Sequence, residues 1–376
     1  MPIRYIHEHD DWPKFYWDDS RVIGALSEVR HLQGRLLGRM EALGLSLRTE
    51  AALQTMTQDV VKTSEIEGER LDADLVRSSI VRKMGVDVGG LIVKDRNVDG
   101  IVDVLFDATH HYEAPLTEER LFGWHAALFP TGRSGMQRIQ VGKWRTEASG
   151  PMQVVSGPYG RERIHFEAPE HHRLRFEVER FLAWFNSHEG TDPVLKAAIA
   201  HFWFVTIHPF DDGNGRIARA IADLALARSE SCSLRFYSMS SQIQRQRSDY
   251  YDILETCQKG TPEITGWIGW FLRELRMAII ASETTLERVL NKARFWEAHR
   301  TWPFNERQRQ MLNRLLDGFC GKLTSSQWAL LTKCSQDTAL RDIDDLLNRN
   351  ILARESAGGR STSYRLAFPP LVESTP

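Results

Sequence analysis

Apolar positions recur every three or four residues along most of the chain, and that spacing predicts an almost wholly helical protein. The segment VLKAAIAHFWFVTI (194–207) is apolar around its whole circumference, the pattern of a helix buried on every side. Asp192 is placed to cap it, Pro193 fits its first position, and Pro209 ends it. Ahead of it, stripes predict helices over 20–43 (Val22, Leu26, Val29, Leu36, Met40, ending at Gly44) and over roughly 49–66. Two more follow between Leu71 and Glu113, separated by a Gly-rich break at 84–91, then one over 117–129 and one over 169–188. Behind it, Ile217, Ile221 and Leu224 share a helical face, 240–258 reads as a helix, and 264–295 as one or two long helices. The period shifts only once before residue 300. Met152, Val154 and Val155 lie between glycines and prolines, while Ile164 and Phe166 alternate with polar neighbours, which predicts a β-hairpin.

Composition narrows the class without naming it. The 376 residues allow two or three domains, and a formal charge of −2 with pI near 6.7 gives no overall drive toward nucleic acid or an anionic membrane. Cys232, Cys257, Cys320 and Cys334 are scattered with no C-x-x-C pair, which argues for reduced thiols rather than a disulfide framework or zinc site. No run of about 20 apolar residues predicts a membrane span, and the charged, aromatic first 19 residues read as an ordered arm on the body rather than a signal peptide. The expectation is a cytoplasmic protein.

The chemistry concentrates in HPFDDGNGRIAR (208–219), a tight loop between two helices. Asp212-Gly213-Asn214-Gly215 leads into a helix start, where free N–H groups and the helix dipole favour an anion. The glycines allow close backbone approach, and Arg216 and Arg219, three apart, are spaced to clamp further anion oxygens. Asp212 is a hard ligand suited to Mg²⁺ beside phosphates, and His208 is a candidate base. Base, metal ligand and anion cradle together point to phosphoryl or nucleotidyl transfer. All fixed positions of this stretch match HPFx[D/N]GNGRxxR, so it resembles the Fic family signature. The resemblance implies a mainly α Fic-fold bundle with a small hairpin flap. It further implies His208 as general base toward a Ser, Thr or Tyr hydroxyl, and Phe210 as loop anchor. Asp212 would be the Mg²⁺ ligand, and Gly213, Asn214 and Gly215 the phosphate cradle. Arg216 and Arg219 would bind the β- and γ-phosphates of ATP. Gly215, where a phosphate-transferring branch has Lys, favours transfer of AMP.

Other segments complete the resemblance. Thr63, Glu67 and Gly68 fit [S/T]xxxE[G/N], which is similar to the family's inhibitory helix (here about 49–68). There Glu67 would reach Arg219 and take the place of the γ-phosphate. Val154 and Val155 would lie on a flap that docks a target segment as an added strand, behind a GxWR lead-in at Gly142 and Arg145. Tyr250 and Tyr251 would lie near adenine or ribose. The tail, with helices over 306–317, 324–332 and 335–349 and two short strands around AGGRS (357–361), looks like a winged helix. Asp337, Asp342, Asp344 and Asp345 on its recognition helix outnumber Arg341 and Arg349, with Arg354, Arg360 and Arg365 on the wing; DNA binding therefore ranks below a protein-interaction role. The domains expected are 1–113 (helical, with the inhibitory helix), 114–298 (catalytic) and 305–376 (winged helix). The partners implied are ATP, a target protein and, compatibly, a second copy of the chain. The alternatives are a nucleotide-sensing transcriptional regulator, AMP removal, or transfer of another nucleotide-linked group.

Overall fold

The computed structural model describes residues 4–85, 95–147, 150–157, 160–187, 190–319, 321–355 and 362–367. Most of the break predicted at 84–91, the AGGRS wing tip with Arg360, and Cys320 lie outside them. The chain is mainly α. Its helices in order are α1 (Asp19–Glu41), α2 (Leu45–Ile66), α3 (Ala73–Lys83), α4 (Arg96–His110) and α5 (Glu118–Leu128). Two small antiparallel hairpins follow, β1 (Arg133–Ser134) with β2 (Gln137–Arg138) and β3 (Gln153–Ser156) with β4 (Arg163–Glu167). Then come α6 (His171–Asn186), α7 (Pro193–Ile207), α8 (Asn214–Glu230), α9 (Met239–Arg245), α10 (Arg247–Gln258) and α11 (Thr265–Ala298). Beyond these lie α12 (Glu306–Leu316), α13 (Ser325–Leu331), α14 (Gln336–Asn348) and the pair β5 (Leu352–Arg354) and β6 (Tyr364–Leu366). The chain divides into two compact units, Met1–Ser282 and Glu283–Pro376, with the boundary inside α11.

In the first unit α7 is the central rod. Every residue of it is buried except Pro193 and Lys196, and Asp192 accepts from the N–H groups of Val194 and Leu195. Rings pack around it on several sides: Phe181 and Trp184 of α6 lie 5.6 and 5.2 Å from Trp203, and Trp267 of α11 lies 5.6 Å from Phe202. The N-terminal arm packs on this body as expected. Trp12 donates to Glu177 Oε2 (2.8 Å), and Tyr5 meets Phe166 of β4 edge-on at 5.3 Å, so the arm braces the flap from behind.

Three elements differ from the sequence reading. α2 begins at Leu45 rather than near 49, because Leu45 faces solvent (77% exposed) and adds nothing to an apolar stripe. The helix expected over 240–258 is two helices that meet at Gln246, where Arg247 Nε donates to the Ile66 carbonyl at 2.8 Å; a long-range bond sets the break, and the local residues do not mark it. The β1–β2 hairpin, two residues per strand, is too short to show any alternation. The second unit has its own core around Trp328, Met311, Ile343 and Leu346. Asp342 of α14 is buried and bonded to Arg307 (2.7 Å) and Asn305 (2.8 Å), and Asp345 pairs with Arg349 (2.8 Å). Of the four acids counted on this helix, only Asp337 and Asp344 are therefore exposed.

Cys232, Cys257 and Cys334 are free, and no helix among the described residues is long and apolar enough to cross a membrane. Among the described glycines, the closest approach of another helix is at Gly100 of α4, where a Cβ would stand 1.8 Å from the Ala127 carbonyl oxygen of α5. Backbone cannot yield as a side chain can, so Gly100→Ala is expected to lower stability by about 3 kcal/mol, the upper end of overpacking costs. Urea unfolding of the two proteins measures this, and an unchanged midpoint would show that the helices separate freely.

Candidate active site

The loop between α7 and α8 is held in an unusual shape by distant residues. His208 ends α7 with left-handed angles (φ 50°, ψ 59°), which non-glycine residues adopt infrequently. Arg145, buried, fastens this turn: its N–H donates to the Pro209 carbonyl and its Nε to the His208 carbonyl, both at 2.9 Å. Burial lowers the Arg145 pKa to about 10, which still leaves it cationic near neutral pH. Phe210 is fully buried and stacked on His125 with centroids 4.2 Å apart, the anchor that the motif implied. Asn214 clasps the same residue, accepting from the Phe210 N–H (2.9 Å) and donating to its carbonyl (2.8 Å). Gly213 precedes α8 at φ 81°, and a Cβ there would stand 2.8 Å from the Phe129 ring.

This shape determines the protonation of both histidines. His208 Nδ1 lies 3.1 Å from the Val205 carbonyl, which only accepts, so Nδ1 carries the hydrogen. Burial lowers the His208 pKa, more than the Val205 bond raises it. The resting imidazole is then neutral at pH 7, with a bare lone pair on Nε2, the form a general base requires. His125 takes the opposite tautomer. Its Nδ1 accepts from the Gly142 N–H (3.1 Å), so Nε2 donates to the Asp212 carbonyl (3.2 Å), and burial lowers its pKa to about 4. Asp212 itself is held on both oxygens, by the Gly213 N–H (2.6 Å) on Oδ1 and by the Ser134 hydroxyl on Oδ2.

These groups open onto a cavity of about 570 Å³, whose walls include His208, Asp212, Gly215, Arg219 and the flap residues Gln153 to Ser156. The N-terminal turn of α8 faces it at Asn214 and Gly215, where helix geometry leaves N–H groups without intrahelical acceptors. Glu67, immediately after α2, occupies this space. Its Oε1 lies 2.7 Å from Arg219 Nη2 and would be 2.5 Å from a Cβ at Gly215. Arg219 is 3% exposed, yet among the described residues its Nη1 has no acceptor, and neither has Nε of the buried Arg216. Unsatisfied buried guanidinium donors beside a helix N-terminus suit a polyanion, and one partly exposed carboxylate suits Mg²⁺ shared with phosphates. Among the described residues no cluster of three or more His, Cys, Asp or Glu could hold a metal unaided. A larger cavity, about 670 Å³ beside Phe185 and Pro193, offers no comparable chemistry: its Arg228 donates to the Tyr112 and Ala114 carbonyls, and its Lys196 to the Ser187 carbonyl.

Most residues singled out in the sequence converge here. His208, Asp212, Asn214, Gly215, Arg219, Glu67, Val154, Val155, Tyr250 and Tyr251 all line the cavity. Tyr250 is buried and hydrogen-bonded to His201 (2.8 Å); Tyr251 is 37% exposed, with Arg247 over its ring. Arg216 and Arg219 do not share one face of the cavity as their spacing suggested. Arg216 turns over the Phe129 ring (5.0 Å) and reaches Glu69 (3.2 Å), outside the cavity lining, so these partners rather than the spacing set its direction. The Asn214 side chain braces the loop, leaving only its backbone to a ligand. Sequence reasoning missed His125, Ser134 and Glu69. His125 and Ser134 belong to no motif, whereas Glu69 had a signal in its position two residues beyond Glu67.

Comparison with known proteins agrees with the geometry. Residues 115–226 match the Fic/DOC family, and residues 5–86 match a domain of unknown function (DUF4172). The chain is 26% identical over 230 residues to the protein adenylyltransferase Fic of Culex quinquefasciatus, covering 60% of this chain and 41% of that protein. It is 40% identical over 89 residues to that of Drosophila melanogaster, covering 23% and 17%. The chain thus spans less than half the length of these curated relatives. A Fic family protein from Desulfovibrio desulfuricans G20 shares the fold, with a TM-score of 0.53 at 20% identity over 93% of this chain and 97% of that one. The segment that carries His208 and Arg219 on either side of one loop is the part of the chain that matches the Fic/DOC family.

Proposed function

We propose that this protein transfers AMP from ATP to a Ser, Thr or Tyr hydroxyl of a target protein, and that Glu67 holds it inactive at rest. The observation that carries the reading is the Glu67 carboxylate, bonded to Arg219 over the N-terminus of α8 in the same cavity as the bare Nε2 of His208. A carboxylate and a phosphate compete for that one cationic place, and like charges exclude each other there. The curated relatives are named adenylyltransferases, which supports AMP as the transferred group.

In the transfer, the target hydroxyl oxygen attacks the α-phosphorus while its proton passes to His208 Nε2. The bond from phosphorus to the bridging oxygen of the β-phosphate breaks, and pyrophosphate leaves with that electron pair. The N–H groups at the start of α8 and the Arg219 guanidinium hold the phosphates and stabilise the charge that builds on them. Asp212 would hold Mg²⁺, which when bound neutralises phosphate charge. The outer edge of β3, at Val154 and Val155, offers backbone groups to a target strand added beside it. A regulator that only senses nucleotide needs no proton acceptor, so the tautomer of His208 favours the enzyme.

Transfer of label from α-labelled ATP tests the reading. Glu67→Gly is expected to raise labelling of protein at least tenfold over wild type, a rough figure for removing one charged hydrogen-bonding competitor. Addition of His208→Ala should abolish it, and γ-labelled ATP should leave no label. Absence of α label from every variant would sink the transferase. The lowered pKa of His208 makes a separate prediction. The neutral base is the active form, so kcat/KM of Glu67→Gly should stay level as pH falls to 6.5 and decline only below it; a midpoint above 6.5 would contradict this environment for the base.

A further inference from the structure

Three side-chain hydrogen bonds tie Arg219 to the C-terminal end of α2, and two of the three go to Thr63 rather than to Glu67. Nε donates to Thr63 Oγ1 at 2.7 Å, Nη2 donates to the Thr63 carbonyl at 3.1 Å, and Nη2 also reaches Glu67 Oε1 at 2.7 Å. Thr63 is 2% exposed and Glu67, one turn further along, has a side chain 30% exposed. The two residues therefore share the Nη2 group of one guanidinium, and Thr63 alone also holds Nε. Thr63 holds the inner side, next to the α2 backbone, and Glu67 covers the side that faces the cavity.

From this we infer that Thr63 is a positioning residue for Arg219, so that α2 helps to build the triphosphate site as well as blocking it; the inference rests on the nucleotide reading of the cavity. A guanidinium is a rigid planar fork, and two bonds to fixed acceptors, Nε to a hydroxyl and Nη2 to a carbonyl, set its plane. Once the Glu67 carboxylate swings out, the remaining lobe around Nη1 faces Gly215 and the α8 N-terminus without any change in the arginine rotamer. Nη1 is 3.2 Å from the Cβ position at Gly215 and has no acceptor among the described residues. Without Thr63, a long buried arginine would have to give up one of its staggered rotamers to regain an acceptor, or would draw Glu67 back.

Contacts that do not involve Glu67 hold α2 in place. Asp59, one turn before Thr63, accepts from the Ser238 hydroxyl (2.6 Å) and the Ser240 N–H (3.2 Å) at the start of α9. Arg247 of α10 donates to the Ile66 carbonyl (2.8 Å). Displacing one carboxylate thus leaves the helix, and Thr63 with it, docked. Activation is then a side-chain movement at Glu67, and removing the whole of α2 would take away a support together with the block.

The test uses the full chain carrying Glu67→Gly, with Thr63→Val and Thr63→Ser added separately, and calorimetric titration with Mg-ATP and Mg-ADP. Valine keeps the shape and removes the hydroxyl acceptor; serine restores it. Thr63→Val is expected to weaken ATP binding by roughly tenfold or more, the loss of one hydrogen bond to a charged group. ADP, which has no γ-phosphate, should bind within about twofold of the parent, on the premise that only a γ-phosphate contact is lost. Thr63→Ser should bind ATP as the parent does. Equal weakening of ATP and ADP would mean that Thr63 serves only the packing of α2, and unchanged ATP binding would mean that Arg219 needs no such support; either overturns the inference while leaving the nucleotide site intact. Failure of the Glu67→Gly parent to bind either nucleotide would overturn the nucleotide reading itself, and the role of Thr63 with it.

Discussion

A guanidinium that is almost wholly buried needs acceptors arranged around it, and the position of Arg219 imposes that demand on this fold. Isolated in the interior, it would cost several kcal/mol. α2 meets the demand with the Thr63 hydroxyl, the Thr63 carbonyl and the Glu67 carboxylate. The Glu67 oxygen also stands close over Gly215, 2.5 Å from where a Cβ would lie, so a side chain there would push the carboxylate aside. The same arrangement is poised chemically. Two of the acceptors are neutral and inward, and only one, the carboxylate, is an anion that a phosphate can replace.

The loop that presents His208 depends on a second constraint, a left-handed turn in a residue that is not glycine. Such a turn persists only where its surroundings hold it in place. Here Arg145 binds the carbonyls of His208 and Pro209, and Asn214 closes a ring on both backbone groups of Phe210. The ring of His125 fills the space beneath Phe210 and at the same time supports the Asp212 carbonyl. The His208 imidazole, the Asp212 carboxylate and the helix N-terminus thus share one rigid mount, and the orientation of one cannot drift without disturbing the others. Such pre-organisation suits stabilisation of charge during transfer.

Much of this was legible in the chain. The motif at 208–219 is contiguous, so base, carboxylate and anion-binding turn could be read together, and the apolar circumference of 194–207 marked the central helix. Glu67 was legible because its helix ends in a recognisable pattern near a glycine. The supports were not. Thr63 was marked only as a position of the same pattern as Glu67, with nothing to show that its hydroxyl meets an arginine 156 positions away, and His125 lies on α5 among ordinary amphipathic residues. Asp342 looked like solvent-facing charge, whereas Arg307 holds it in a buried contact, and Asp345 is paired at the surface with Arg349.

The sequence by itself determined the helical class, the order of the elements and the chemistry of the loop, since those rest on periodicity and on residues adjacent in the chain. Tertiary structure alone decided which arginine faces the cavity, which tautomer each histidine adopts and which side of Arg219 remains open. Those outcomes depend on contacts between residues far apart in sequence, where a few tenths of an ångström and the direction of one carbonyl select between a group that binds ligand and a group that braces the fold.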